Sequence, residues 1–134
     1  MSETTTQPLV GAGHVVHTEF VSADVDGTRD FLSTVFGLQF QNMPSEMGDY
    51  WNFGDEKLGI GGAVRGLMPE EPGPYAAPYF SVDDIDATIA TAQTAGATLM
   101  VPKQPVPNMG YFAWFQAPGG VIVAAWQNDP EAKA

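Results

Sequence analysis

Two side chains that could do acid–base or metal chemistry stand two positions apart near the start of the chain, His17 and Glu19. They belong to residues 14–22, a run rich in Val, Phe and Thr that is typical of a β-strand. Because side chains alternate along a strand, both should point to the same face. An imidazole beside a carboxylate in an apolar cavity could serve as a general base and its partner. The pair could equally be hydrogen-bonded only to satisfy its own polarity, and we favour this second interpretation.

Aromatic residues are the second chemical signal. Strand alternation places Trp126 on the face of Ala124, and Tyr79 on the face of Ala77. Aromatic walls around small residues would suit a flat organic ligand. The pattern does not fix the facing of Trp51 and Trp114, so for these two a place in the core or at an interface is favoured over ligand contact.

The elements that position these residues are built from a segment used twice. Residues 24–28 (Asp-Val-Asp-Gly-Thr) recur as residues 84–88 (Asp-Ile-Asp-Ala-Thr), 60 positions later. Each copy follows a strand and opens a helix, with Asp24 or Asp84 as the N-cap. The order β-α-β-β-β therefore occurs twice, which predicts an α+β fold with helices on one face of the sheets.

The predicted boundaries follow from turn residues and periodicity. We expect a flexible tail over residues 1–13, a single domain over 14–127 and a frayed tail over 128–134. The domain divides into unit one (14–64), a Pro- and Gly-rich linker (65–74) and unit two (75–127). In the first helix the apolar stripe is Phe31, Leu32, Val35 and Phe36, and the helix ends at Gly37. The remaining predictions are strands over residues 38–43, 49–54, 58–64, 75–82, 98–101, 111–116 and 121–127, a turn over 55–57, a helix over 85–95 and a loop over 103–108.

Composition excludes several classes of function. The 134 residues carry sixteen acids against five bases, a net charge of −11, which repels nucleic acid and anionic lipid. No apolar run approaches the ~20 residues of a membrane span, and no secretory leader opens the sequence. Cysteine is absent. We therefore expect an acidic, cytoplasmic protein with a real core, since 44% of its residues are hydrophobic.

The ordered motifs resemble the vicinal oxygen chelate (VOC) superfamily of glyoxalases, bleomycin-resistance proteins and extradiol dioxygenases. The residues that carry the resemblance span about 14 to 127: His17-Thr18-Glu19-Phe20, Phe36-Gly37, Phe80-Ser81-Val82-Asp83-Asp84, Ala95-Gly96-Ala97, Gly110-Tyr111-Phe112-Ala113 and Ala117-Pro118-Gly119-Gly120. The resemblance implies two tandem βαβββ units that form a curved mixed sheet around a cavity. It also implies that a one-domain member works as a homodimer.

Metal-using members of that superfamily place one ligand on the first and one on the last strand of each unit. The corresponding positions here are His17, Ala77, a residue near Gly61, and Ala124. Ala and Gly cannot coordinate, and catalytic zinc sites use about three protein ligands. We therefore expect no cofactor, with His17 as the one surviving ligand position.

Two functions follow. The preferred one is metal-free binding of a small apolar or aromatic molecule in an aromatic-lined cavity, as in resistance-type relatives. The alternative is a glyoxalase-type lyase or isomerase that uses His17 and Glu19 with a divalent metal or as an acid/base pair.

Overall fold

A computed structural model describes residues 13–44, 48–54 and 60–133 of the chain. Residues 1–12 of the expected 1–13 tail, the turn over 55–57 and the start of the 58–64 strand lie outside these residues. The described elements are β1 (Val15–Ser22), α1 (Val25–Phe36), β2 (Gln41–Asn42), β3 (Tyr50–Phe53), β4 (Gly61–Gly66), β5 (Tyr75–Ser81), α2 (Ile85–Thr94), β6 (Thr98–Val106), β7 (Gly110–Gln116) and β8 (Ile122–Asn128). Their order confirms the repeated βαβββ plan and the α+β class.

The chain divides into two compact units, and the boundary falls within β5. The N-terminal unit is Val16–Pro78. The C-terminal unit is Tyr79–Ala134, together with described residues 13–15.

In the N-terminal unit the strand order is β2-β3-β4-β1, with β1 parallel to β4 and the other pairs antiparallel. Helix α1 covers one face: Thr28 on the helix and Ser22 on β1 share a hydrogen bond of 2.7 Å. The Asp24 carboxylate caps α1 by accepting from the Gly27 N–H at 3.0 Å. Gly37 ends the helix in the left-handed conformation at φ 74°.

The C-terminal unit repeats this arrangement with the order β5-β8-β7-β6, in which β5 and β8 are parallel. Asp84 caps α2 through the Ala87 N–H at 3.1 Å. One face of this sheet packs on α2 through a buried cluster of Ile85, Ala113, Phe115 and Ala125.

Three predicted strand bounds were wrong. β2 is only Gln41–Asn42, because the Leu38 N–H completes the helix end on Leu32 O and Phe40 packs edge-on to Phe53. β4 extends to Gly66, so Arg65 is a strand residue instead of the first linker residue. β6 continues through the predicted 103–108 loop as far as Val106. β6 lies at the edge of the sheet, where one side of the strand has no neighbouring strand to hydrogen-bond, so proline is tolerated there. Shifts in the register between β6 and β7 accommodate Pro102.

The stripe on α1 and the C-terminal tail also differ from expectation. Within the described chain only Leu32 of the stripe is buried, whereas Phe31, Val35 and Phe36 are 57%, 54% and 64% exposed. The tail is held in place, because Ala132 is 1% exposed and its carbonyl accepts from the Asn108 N–H. No helix in the described part of the chain is long and apolar enough to cross a membrane.

Candidate functional site

The face of the N-terminal sheet opposite α1 carries the predicted polar pair. Strand register places Gly61 beside His17, Ala63 beside Glu19, and Tyr50 beside Arg65. Residues paired across strands share a face, so these side chains lie together. The structure thus confirms that His17 and Glu19 share a face, and it adds Tyr50 and Arg65 to them.

Glu19 is the buried centre of this cluster, with 2% of its surface exposed. Its Oε1 accepts from the Tyr50 hydroxyl at 2.6 Å, and its Oε2 accepts from the Arg65 Nε at 2.5 Å. Both carboxylate oxygens are therefore engaged by strong donors, as a buried charge requires.

The same contacts determine the protonation of His17. Its Nε2 lies 3.0 Å from the Tyr50 hydroxyl oxygen. Because the Tyr50 proton is donated to Glu19, the imidazole must donate through Nε2–H. Burial lowers the pKa of His17, and the charge of Glu19 opposes part of that shift. Burial and the adjacent Glu19 charge both raise the pKa of Tyr50. The neutral Nε2–H tautomer of His17 and the neutral phenol of Tyr50 are thus the stable forms at pH 7.

Arg65 joins Glu19 to a second carboxylate, Glu71. Its Nη1 and Nη2 donate to Glu71 Oε1 and Oε2 at 2.9 and 2.8 Å. Tyr75 also donates to Glu71 Oε2. Burial would lower the pKa of Arg65, but its hydrogen bonds to Glu71 and Glu19 raise it above the usual value. One guanidinium therefore stands between two carboxylates.

The face of the C-terminal sheet opposite α2 is aromatic. Strand register groups Tyr79 with Ala124 and Trp114, and Phe112 with Trp126. Tyr79 and Trp114 are buried, meet edge to face at 6.2 Å, and are joined by a 2.9 Å bond from the Trp114 indole N–H to the Tyr79 hydroxyl. The structure thus places Tyr79, Ala124 and Trp126 on one face as predicted, and it adds Trp114 to them.

Trp126 is half-buried on this face and has a fixed orientation. A Cβ on Gly110 would come within 2.7 Å of the Trp126 ring and 2.2 Å of the Gln127 carbonyl oxygen, so glycine is needed there. The indole N–H of Trp126 donates to Asn128 at 2.8 Å.

Trp51 lies on a different surface from the other candidate residues. It pairs with Val64 on the α1-facing side of its sheet, and the Arg29 guanidinium stacks 3.8 Å from its ring centroid. It also lines a 630 Å³ depression at the start of α1. Asp24, Asp26 and Asp49 line the same depression, which lacks His17, Glu19 and Arg65.

The residues at the family's metal positions do not fit a divalent ion. Ala77 and Ala124 are buried and have only a methyl side chain, which cannot coordinate a metal ion. Gly61, which pairs with His17, has no side chain to offer. Glu19 already receives the Arg65 guanidinium, whose positive charge opposes a cation. Within residues 13–44, 48–54 and 60–133, no group of three His, Asp or Glu side chains is arranged to hold a metal.

Sequence reasoning missed Tyr50, Arg65, Glu71 and Tyr75 as members of the polar cluster. Arg65 continues the alternation of Gly61 and Ala63 and is one of only five bases in an acidic chain. This alternation could have placed Arg65 on the same sheet face as Gly61 and Ala63. It was overlooked because Arg65 was assigned to the Pro- and Gly-rich linker that follows.

Comparison with known protein families identifies the family to which a chain with this fold belongs. Residues 14–124 match the model of the Glyoxalase/Bleomycin resistance protein/Dioxygenase superfamily. The chain belongs to that superfamily.

Curated relatives agree with this assignment. The chain is 30% identical over 122 residues to proteins of Mycobacterium bovis and Mycobacterium tuberculosis, each named "Putative glyoxylase CFP32". The match covers 89% of this chain and 46% of those proteins, so the chain spans about half their length.

Similarity to solved structures supports the fold. Methylmalonyl-CoA epimerase from M. tuberculosis superposes with a TM-score of 0.69 at 14% identity, covering 93% of this chain and 94% of that one. A superfamily member from Vibrio splendidus gives 0.59 at 16% identity, with coverage of 87% and 99%.

Proposed function

We propose that this protein binds a small apolar or aromatic molecule, without a metal ion, against the aromatic face formed by Tyr79, Phe112, Trp114, Ala124 and Trp126. The observation that carries the proposal is the construction of this face. The half-buried Phe112 and Trp126 offer ring surface that a ligand can reach, and the buried Tyr79, Trp114 and Ala124 lie on the same sheet face. Preformed apolar surfaces with few polar groups suit flat organic ligands.

The contacts of Glu19 favour binding over the lyase or isomerase alternative. A general base needs a lone pair directed at the substrate. Both oxygens of Glu19 instead accept from Tyr50 and Arg65 inside the polar cluster. Because Glu19 is 2% exposed, a substrate could reach it for proton abstraction only if the surrounding side chains moved. The same ion pair supports the metal-free part of the proposal.

We also propose that the protein acts as a homodimer in the cytoplasm. Support comes from the family resemblance and the exposed apolar side chains of Phe31, Val35 and Phe36 on α1. Light scattering of the purified chain tests the dimer, and a monomer at micromolar concentration would contradict it.

The binding proposal is tested by tryptophan fluorescence with 2-naphthol, a neutral flat probe. We expect saturable quenching in the wild-type protein that is unchanged by EDTA. Trp126→Phe should remove most of the quenching. Trp51→Phe is the matched control, because Trp51 lies in the other unit beside Arg29, and it should retain the quenching.

Two results would contradict the proposal. Quenching that survives in Trp126→Phe and disappears in Trp51→Phe would move the ligand to the depression at the start of α1. About one metal ion per chain by elemental analysis, lost together with activity in a folded Glu19→Gln variant, would establish the enzymatic alternative.

A further inference from the structure

The side chain of Glu71 is seated in a complete carboxylate-binding arrangement. Its Oε1 accepts from Arg65 Nη1 at 2.9 Å and from the Met68 backbone N–H at 2.7 Å. Its Oε2 accepts from Arg65 Nη2 at 2.8 Å and from the Tyr75 hydroxyl. Four donors thus converge on two oxygens, with the guanidinium in the planar two-bond geometry that selects carboxylates.

Two of the donor residues lie on strands, whereas Glu71 and the Met68 N–H lie in the segment between those strands. Arg65 lies on β4 and Tyr75 begins β5, so strands hold both. Glu71 comes from the intervening segment, in which Pro69, Pro72 and Pro74 lack backbone donors. The Glu71 backbone N–H bonds within the segment, to Met68 O. Its side chain therefore joins this segment to the strands.

We propose that Arg65, Tyr75 and the Met68 N–H form a binding site for the carboxylate group of a small organic acid, with Glu71 as a built-in occupant that the ligand displaces. The inner edge of Arg65 remains on Glu19 through Nε, which keeps the guanidinium oriented when its outer edge changes partner. After the exchange, the outer edge of the guanidinium is again paired with one carboxylate. This site lies in the N-terminal unit, and it does not depend on the aromatic face proposed above.

Because Glu71 is attached to the chain beside the site, it competes with a free carboxylate and lowers the apparent affinity of that ligand. A group on a short connecting segment competes at an effective concentration in the millimolar range or above. Free carboxylates should therefore bind the wild-type protein weakly, and removal of the Glu71 carboxylate should strengthen binding by at least about tenfold.

The test is an isothermal titration with sodium acetate at constant ionic strength in sodium chloride. Glu71→Ala should bind acetate saturably and at least about tenfold more tightly than wild type. Glu70→Ala is the matched control, since Glu70 is an exposed carboxylate one position away, and it should behave as wild type. Tyr75→Phe in the Glu71→Ala background should weaken acetate binding several-fold, because one donor is lost.

Three outcomes would overturn the proposal. The first is a folded Glu71→Ala variant that takes up no more acetate than wild type. The second is an equal gain of affinity in Glu70→Ala, and the third is inorganic phosphate binding to Glu71→Ala as tightly as acetate does. If Glu71→Ala is unfolded in chloride, circular dichroism replaces calorimetry. Refolding by acetate and not by chloride then supports the site, and failure to refold overturns it.

Discussion

The two units share a plan but differ on the sheet face opposite their helix. In the N-terminal unit that face holds a charged network in which Arg65 joins Glu19 to Glu71. In the C-terminal unit the corresponding face holds a wall of Tyr79 and Trp114. The capping aspartates and strand orders match between the units, so the repeat is retained where the chain builds its scaffold. The sheet faces opposite the helices do not share this similarity, since one is charged and the other is aromatic.

The largest expected effect tests whether charge pairing stabilises the N-terminal face. Arg65→Met should lower the free energy of unfolding by about 3–5 kcal/mol, because it leaves the buried Glu19 carboxylate without its cation. Glu19→Gln should cost less, since Arg65 keeps Glu71 as a partner. Urea denaturation at pH 7 measures both variants.

Arg29→Met is the control for that comparison. Arg29 belongs to the same unit but pairs with the exposed Asp26 and stacks on Trp51. Its loss should cost about 1 kcal/mol or less. Equal costs for Arg65→Met and Arg29→Met would show that the buried network adds nothing beyond an ordinary surface pair.

A smaller effect should come from the hydrogen bond that the Trp114 indole N–H donates to the Tyr79 hydroxyl in the aromatic wall. Tyr79→Phe removes the acceptor of the buried Trp114 indole N–H and should cost about 2 kcal/mol. Trp126→Phe is the matched comparison, because its indole N–H bonds to Asn128 in an exposed position. A double-mutant cycle of Tyr79→Phe with Trp114→Phe should give a non-zero coupling energy. Strictly additive costs would mean that the two rings pack without a useful hydrogen bond.

The scaffold could be predicted from the sequence, because its signals are local. The paired Asp24 and Asp84 caps and the terminating Gly37 each act within a few residues. β6 was shortened in the prediction because a strand with Pro102 and Pro105 is acceptable only at a sheet edge, and edge position follows from topology.

The charged network was less predictable than the scaffold. The Glu19–Arg65 pair spans 46 positions, and no local pattern reports a contact of that kind. The aromatic face was partly predictable, since alternation alone placed Trp126 with Ala124. Placing Trp114 required the register between β7 and β8.

The smallest expected effect concerns the acid limit of the charged face. Although burial alone would raise it, the pKa of Glu71 is lowered to about 2 by hydrogen bonds from Arg65, Tyr75 and the Met68 N–H. A carboxyl group with a depressed folded-state pKa binds its proton first in the unfolded chain. The stability it contributes is therefore complete above the unfolded pKa of about 4.3 and is lost as the pH falls from there toward 2.

Urea denaturation at pH 6, 4 and 3 measures this contribution. Between pH 6 and 3, wild type should lose on the order of 1 kcal/mol more than Glu71→Gln, which has no proton to take up at that position. Other carboxylates titrate in the same window, so the informative quantity is the difference between variants. Glu70→Gln is the matched control, because it removes an exposed carboxylate one position away. Parallel losses in wild type and Glu71→Gln would show that Arg65 holds Glu71 no more firmly than solvent does, which would also weaken the contrast between the two faces.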